Sequence, residues 1–237
     1  MKVLLISPSF NEEENVLKNY QNIVNYNKKN KTNYDLVVVD DGSIDRTKEI
    51  CIKNNIPHIS LIHNLGIGGA VQTGYKYAFE NNYDIAIQFD GDGQHDVNYV
   101  KDIMEPLIND DCDMVIGSRF MDKNSSAFKS SFARRIGIRI ISFFIKMKTG
   151  KRVYDTTSGF RAVNKKTIEL FATDYPFDYP EPISTVEVLK RGYIVKEIPV
   201  SMNERETGTS SIKAWKKIYY MLNVVISIIV SGFGGKK

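Results

Sequence analysis

The chain has 237 residues, 42% of them hydrophobic and 25% charged, with a formal net charge of +4. This is an ordinary soluble globular composition, long enough for one large domain or two small ones around a substantial core. Two cysteines, Cys51 and Cys112, exclude a disulfide framework and point to a reducing compartment; the apolar start Val3-Leu4-Leu5-Ile6 halts at Pro8, too soon for a secretion signal; and no stretch reaches the roughly 20 apolar residues of a membrane span.

In chain order, Val3 to Ser7 reads as a strand and Asn11 to about Lys28 as a helix, spaced through Val16, Tyr20, Ile23 and Val24. Leu36 to Val39 is a second strand, ending at Asp40-Asp41-Gly42-Ser43. Asp45 to Lys53 is a short helix, Ile59 to Ile62 a strand, Gly68 to Asn81 a helix and Ile85 to Phe89 a strand. Val97 to Ile108 is helical and Met114 to Ile116 is a fifth strand. Then the pattern loosens: Ala127 to Lys148 reads as a helix, Thr157 to Val163 as a strand and Ile183 to Arg191 as a helix. Tyr193 to Met202 is a strand placed at a sheet edge by Pro199, and Ser210 to Val230 is a last helix. Continuous Val/Ile/Leu runs alternating with helices predict an α/β fold with a mostly parallel sheet sandwiched by helices.

Such sheets bind ligands beyond the carboxyl ends of their strands. Polar, small and acidic residues gather there: Pro8-Ser9-Phe10-Asn11-Glu12, Asp40-Asp41-Gly42-Ser43, Asn64-Leu65-Gly66, Asp90-Gly91-Asp92 and Gly117-Ser118-Arg119. Asp90 and Asp92, one residue apart after a buried strand, are hard oxygen ligands. A cation such as Mg²⁺ takes one or two of these plus phosphate oxygens of a substrate. Read alone, the same residues make an acidic turn equally well. His63 and His95 read as structural or loop residues, and no His/Cys cluster suggests zinc.

The ordered blocks Pro8–Glu12, Val39–Thr47, Asn64–Ala70, Phe89–His95, Gly117–Phe120 and Thr157–Ala162 resemble the family-2 glycosyltransferases of the GT-A fold. The branch most resembled holds the dolichol-phosphate mannose synthases, and the likeness covers roughly residues 1–212. It implies that Asp90, Asp92 and Gln94 hold Mg²⁺ or Mn²⁺ against the donor diphosphate. It implies that Pro8, Phe10, Glu12, Asp40 and Asp41 hold the base and ribose of a nucleotide-sugar donor, with Gly69 on the same side. Arg119, Arg161 and Arg205 match basic positions near the phosphates, where a planar guanidinium pairs well. Phe10 stands where the family often has Tyr.

On the acceptor side, Tyr179-Pro180-Glu181-Pro182 fixes one acid between two prolines. Glu181 is read as the general base or an acceptor-binding group, or else as an acid complementing a helix N-terminus. Asp155 and Glu187 are weaker candidates. The mannose synthases resemble Arg-x-x-Gly-x-Ser-Lys-Leu in a segment where this chain has Arg205-Glu206-Thr207-Gly208-Thr209-Ser210-Ser211-Ile212, so Ser211 replaces the Lys and Lys213 lies two residues on.

Positive charge is concentrated late. Lys129 to Arg152 holds eight Lys or Arg and no acid, and five Lys and no acid follow Glu206. By charge alone nucleic acid or a membrane surface would fit. The resemblance removes nucleic acid. Arg135, Arg139, Ser142 and Lys146 form one helical stripe, surrounded by Phe132, Ile136, Ile140, Phe143, Phe144 and Met147, the pattern of a membrane-surface helix. Lys213, Lys216 and Lys217 lead into Ile218 to Val230, with Trp215, Tyr219 and Tyr220 as interfacial residues. That apolar run is too short to span.

The expectation is therefore a GT-A transferase domain over 1–209 and an amphipathic interfacial helix over 210–237. It acts as a metal-dependent, inverting enzyme on a lipid-linked or glycan acceptor, in cell-surface glycan or glycolipid assembly. It works at the cytoplasmic face of the membrane, where the C-terminal helix meets lipid, a small membrane protein or a second copy in a homodimer. The alternatives are a polyprenyl-phosphate sugar synthase, a sugar nucleotidyltransferase and a non-catalytic scaffold.

Overall fold

The computed structural model describes residues 1–121, 132–202 and 214–230. In chain order its elements are β1 (Val3–Ser9), α1 (Val16–Asn30), β2 (Tyr34–Asp40), α2 (Thr47–Lys53), β3 (His58–Ser60), α3 (Gly66–Glu80) and β4 (Ile85–Gln88). A 3-10 turn (Val97–Tyr99), α4 (Val100–Ile108), β5 (Met114–Ser118), α5 (Phe132–Thr149), β6 (Arg161–Asn164), α6 (Lys165–Thr173), α7 (Pro180–Lys190), β7 (Val195–Pro199) and α8 (Ala214–Val230) complete it.

The strands form one sheet in the order β3-β2-β1-β4-β6-β5-β7. All run parallel except β6, which is antiparallel to both β4 and β5. β7 takes the edge that Pro199 predicted. Both faces are covered, which is why the strands read as unbroken apolar runs. Leu4, Ile6, Val37 and Val39 pack with Tyr75, Val71 and Phe171 on one side. Val3, Leu5, Leu36 and Val38 pack with Ile23, Ile103 and Met104 on the other.

Several boundaries differ from the periodicity, each for a local reason. α1 begins at Val16 rather than Asn11. Asn11 is left-handed at φ 56°, and the Glu12 carbonyl accepts from the N–H groups of Asn15 and Val16 to start the helix. The predicted strand over 157–163 joins the ladder only at Arg161. The helix α6, which the sequence reading passed over, starts on a capping residue: Asn164 accepts from the Thr167 N–H. α7 starts three residues early because Pro180 suits the first helical position.

α8 lies along α5 and α7. Gly137 lets α5 and α8 close up, since a β-carbon there would sit 2.5 Å from Met221 Sδ. Lys148 Nζ donates to the Ile229 carbonyl at 2.8 Å. Of the predicted basic stripe, Arg135, Arg139 and Lys146 are exposed, but Ser142 turns into the core. No helix among the described residues is long and apolar enough to cross a membrane.

Candidate active site

Because β1 to β4 are parallel, their carboxyl ends share one rim. β6 runs the other way, so its entry, Ser158-Gly159-Phe160-Arg161, arrives at the same rim. Gln88 and Arg161 are partners in the β4–β6 register.

The loop after β4 lies directly on the end of β1. A β-carbon on Gly91 would come within 2.5 Å of Ser9 Oγ and 3.0 Å of the Pro8 carbonyl, so only glycine admits this approach. Asn19 of α1 donates to the Gly91 carbonyl. Gly93 is left-handed at φ 75°, and Asp92 Oδ1 accepts from the Gln94 N–H at 3.1 Å. The Asp90 side chain is 31% exposed. Gly159 makes room for it, since a β-carbon there would stand 2.7 Å from Asp90 Oδ2.

His95, read from sequence as a loop residue, is part of this construction. The Asp90 N–H donates to His95 Nδ1 at 2.9 Å, which leaves the ring proton on Nε2, 3.6 Å from Asp90 Oδ2. The ring stacks on Phe160 at 4.8 Å and meets Phe89 edge-on. Burial lowers its proton affinity below the ordinary imidazole value. A neutral His95 therefore holds the backbone of Asp90. Its place straight after Asp-x-Asp-x-Gln was the available signal.

Glu181 opens α7 opposite Asp90. Burial raises its pKa; the charge of Arg161 opposes the shift, while that of Asp90 adds to it. Gln88 Nε2 donates to Asp90 Oδ1 at 3.1 Å. The structure thus brings Asp90, Gln88, Gly159 and Glu181 together.

The arginines are placed differently from the expectation. Arg161 is 1% exposed. Its guanidinium donates to the carbonyls of Ser158 and Glu181, both at 2.7 Å, and to Ser184 Oγ and Thr185 Oγ1 at 3.1 and 3.0 Å. It pins the first turn of α7, and with it Glu181, to β6. Arg119 is also buried, and forks onto Asp155 at 2.7 and 2.8 Å and onto Thr157. Both side chains are committed to the protein, so neither presents a free fork to a phosphate. Asp155, a weaker base candidate, is used up in the same pair. Its N–H and that of Tyr154 are held by Glu197.

At the ends of β1 and β2, Pro8, Asp40 and Asp41 are buried, as is Gly69 in α3. Asp40 accepts from the Ser43 N–H, and Asp41 from Leu65 at the start of α3. Burial raises the Asp41 pKa against those backbone hydrogen bonds. Phe10 is 46% exposed, and Glu12 is half-buried with Asn15 donating to it. Arg205, Ser211 and Lys213 lie outside the described residues, as do the side chains of Phe132, Trp215, Lys216, Lys217, Tyr219 and Tyr220. A polar hollow of about 320 Å³ backs the loop, floored by Gly93 and His95 and walled by Asn19, Asn22 and Tyr26 of α1. Asp90, Asp92 and Glu181 do not line it.

The donor set fits a hard divalent cation. Asp90 and Asp92 supply oxygens on a loop held from three sides. Among the described residues no third His, Cys, Asp or Glu joins them, so a cation here would complete its shell with substrate oxygens and water.

Comparison with known proteins agrees with this arrangement. The family described as Glycosyl transferase family 2 matches residues 5–171. The UDP-N-acetylglucosamine–dolichyl-phosphate N-acetylglucosaminyltransferase of Methanococcus voltae is 31% identical over 93% of this chain and 94% of its own. The dolichol-phosphate mannosyltransferase of Pyrococcus furiosus is 29% identical over 94% of this chain and 63% of its own. Among solved structures, glucosyl-3-phosphoglycerate synthase from Mycobacterium tuberculosis, in complex with Mn²⁺, UDP and phosphoglyceric acid, superposes with a TM-score of 0.71. It is 17% identical and is matched over 100% of this chain and 80% of its own, a likeness of fold. With its GT-A sheet, its rim of strand-end loops and these relatives, the chain belongs to glycosyltransferase family 2 and is similar to the branch that holds the dolichol-phosphate mannose synthases.

Proposed function

We propose that the protein transfers one sugar, with inversion, from a nucleoside-diphosphate donor to a polyprenyl phosphate at a membrane surface. The observation that carries this reading is the near full-length match to an enzyme named for transfer to dolichyl phosphate.

In this reading Pro8, Phe10, Glu12, Asp40, Asp41 and Gly69 shape the base and ribose side, and Arg205 meets the phosphates. Mg²⁺ or Mn²⁺ held by Asp90 and Asp92, with Gln94 alongside, would stabilise the charge growing on the departing diphosphate. Arg161 and Arg119 serve indirectly, by fixing the loops on either side. The acceptor oxygen attacks the anomeric carbon from the face opposite the diphosphate, whose oxygen leaves with the bonding pair. An ionised phosphate acceptor needs no base, so Glu181 orients it. A hydroxyl acceptor is the second reading, favoured by an acid with raised proton affinity set beside Asp90.

Residues 1–209 form the transferase domain, and 210–237 seat it at the cytoplasmic face. Ile136, Ile140, Phe143 and Met147 of α5 and Leu222, Ile226, Ile229 and Val230 of α8 are exposed, with Arg135, Arg139 and Lys146 on the α5 surface. Apolar residues beside exposed cations suit anionic lipid. A small membrane protein or a second copy are the other occupants a flotation assay with anionic vesicles would separate.

The test is transfer from labelled UDP-, GDP- and dTDP-sugars with Mn²⁺ to vesicles containing polyprenyl phosphate. Label in the lipid phase, lost on omitting the phosphate, is the expected result. Label only on a water-soluble glycan selects the hydroxyl reading. No transfer, and no Mn²⁺-dependent thermal stabilisation by any of these donors, removes both.

A further inference from the structure

The backbone ladder between β1 and β2 ends where the Asp41 N–H donates to the Ser9 carbonyl at 2.8 Å. Beyond it the two strand-end loops are laced together by side chains. Three successive N–H groups of the β1 loop cross to the β2 loop: Asn11 to Ser43 Oγ at 2.9 Å, Glu12 to Thr47 Oγ1 at 2.9 Å and Glu13 to Asp45 Oδ2 at 3.1 Å. Two cross back: the Ile44 N–H to Asn11 Oδ1 at 3.0 Å and the Arg46 N–H to Glu13 Oε2 at 3.2 Å. Asp45 Oδ1 takes both the N–H and the hydroxyl of Thr47, at 2.9 and 2.5 Å, so the buried Thr47 hydroxyl donates to one loop and accepts from the other. Burial raises the proton affinity of Asp45, but the bonds from Thr47 and Glu13 outweigh it and keep the carboxyl below its ordinary value. Surface loops are ordinarily the mobile part of a fold, and this lacing gives two of them one shape. It does not serve to bury apolar surface, since Phe10 and Ile44 within it stay exposed.

Resting on the transferase reading above, we propose that Asn11, Asp45 and Thr47 are positioning residues for donor recognition. They fix Phe10 and Glu12 beside Asp40 and Asp41, so that the donor's nucleoside meets a preformed edge instead of ordering one on arrival. Preorganisation of this kind lowers the cost of binding. It leaves the chemical step alone, because in that reading the reacting diphosphate end lies at Asp90 and Asp92.

The test uses the full chain and two readouts: calorimetric affinity for UDP, GDP and dTDP, each with Mn²⁺, and KM and kcat for the sugar nucleotide that is transferred. Asp45→Asn keeps the shape but sets an amide N–H against Glu13 or Thr47, and Thr47→Val removes the oxygen that receives the Glu12 N–H. Each is expected to weaken the preferred nucleoside diphosphate about tenfold, the order of one such bond. Donor KM should rise by the same factor, with kcat at saturating donor within about threefold. Thr47→Ser keeps the hydroxyl and should restore the affinity. Binding of Mn²⁺ with pyrophosphate, which has no nucleoside, should not change. A merely structural lacing would lower Tm and leave nucleotide affinity and KM as they are. Should the Asp45 and Thr47 variants not fold, Asn11→Gly, at an exposed left-handed position, removes only the acceptor of the Ile44 N–H and carries the same comparison with a loss of about threefold. Nucleotide affinity at the wild-type value in the folded variants, or an equal loss with pyrophosphate, would overturn the proposal. If the wild type binds a nucleoside diphosphate yet transfers to nothing, the functional reading fails while the calorimetry still judges the lacing; if it binds none of them, both fall.

Discussion

The rim at the strand ends and the face made by α5 and α8 are built on opposite rules. At the rim, polar side chains are bound within the protein: Asp41 to the start of α3, Arg119 to Asp155, Arg161 to the first turn of α7, His95 to the Asp90 backbone. On the α5–α8 face, large apolar side chains stand exposed. The first region has its geometry before any ligand arrives, which is what a site working on developing charge requires. The exposed side chains of the second contribute little to holding the fold together, and in the reading proposed above they meet a lipid surface. A substitution at the rim should therefore disturb chemistry or stability, and one on the face should disturb association alone.

The comparison breaks most readily at Asp92. Asp92→Asn should lower kcat on the order of 10²- to 10³-fold and abolish Mn²⁺-dependent stabilisation by UDP in a thermal melt. Persistence of that stabilisation would take the cation away from this loop. Next comes Arg161→Met, which removes the buried guanidinium's bonds to the Ser158 and Glu181 carbonyls and to the Ser184 and Thr185 hydroxyls, and takes from the Ser158 carbonyl its donor. The expected loss is about 3 kcal/mol, or about 6–12 °C in Tm for a chain of this size. A melt matching wild type would mean the guanidinium is not a clamp.

The face is sharpened by Phe143→Ser combined with Ile226→Ser. Each exposed change should leave stability within about 0.5 kcal/mol. Vesicle binding should weaken on the order of tenfold or more, and salt should weaken what remains. Unchanged flotation would assign the face to a protein partner. The smallest effect is at Glu197, whose pKa burial raises. Between its unfolded and folded pKa values the native state binds more protons than the unfolded one, so this group costs stability as pH rises through that window. Glu197→Gln mimics the protonated acid. Any deficit it shows in Tm should therefore be largest near pH 4 and narrow toward pH 7. A deficit that widens would reverse the sign.

Much of this architecture was legible. Buried parallel strands announce themselves as Val/Ile/Leu runs, and β1, β2, β4 and β5 fall where those runs do. The loops that follow carry their acids and glycines openly. The direction of β6 was not legible, because a two-residue alternation has no polarity. Nor was the fate of Arg119 and Arg161. Their partners lie at Asp155, Ser184 and Thr185, 36, 23 and 24 residues away, a proximity only the fold creates. His95 was dismissed because a lone imidazole in a loop carries no sign of which nitrogen will be used.

The reversal of β6 has an evolutionary consequence. β5 and β6 lie side by side and antiparallel, a pairing that a two-residue turn could join. The stretch between Arg119 and Asp155, including the whole of α5, is therefore a detour that the pairing of these two strands does not require. Descendants can lengthen, shorten or recompose it while the β5–β6 ladder and the Arg119–Asp155 pair that closes the loop stay in place. Such a scaffold could change the environment it docks into while leaving its reaction machinery in register.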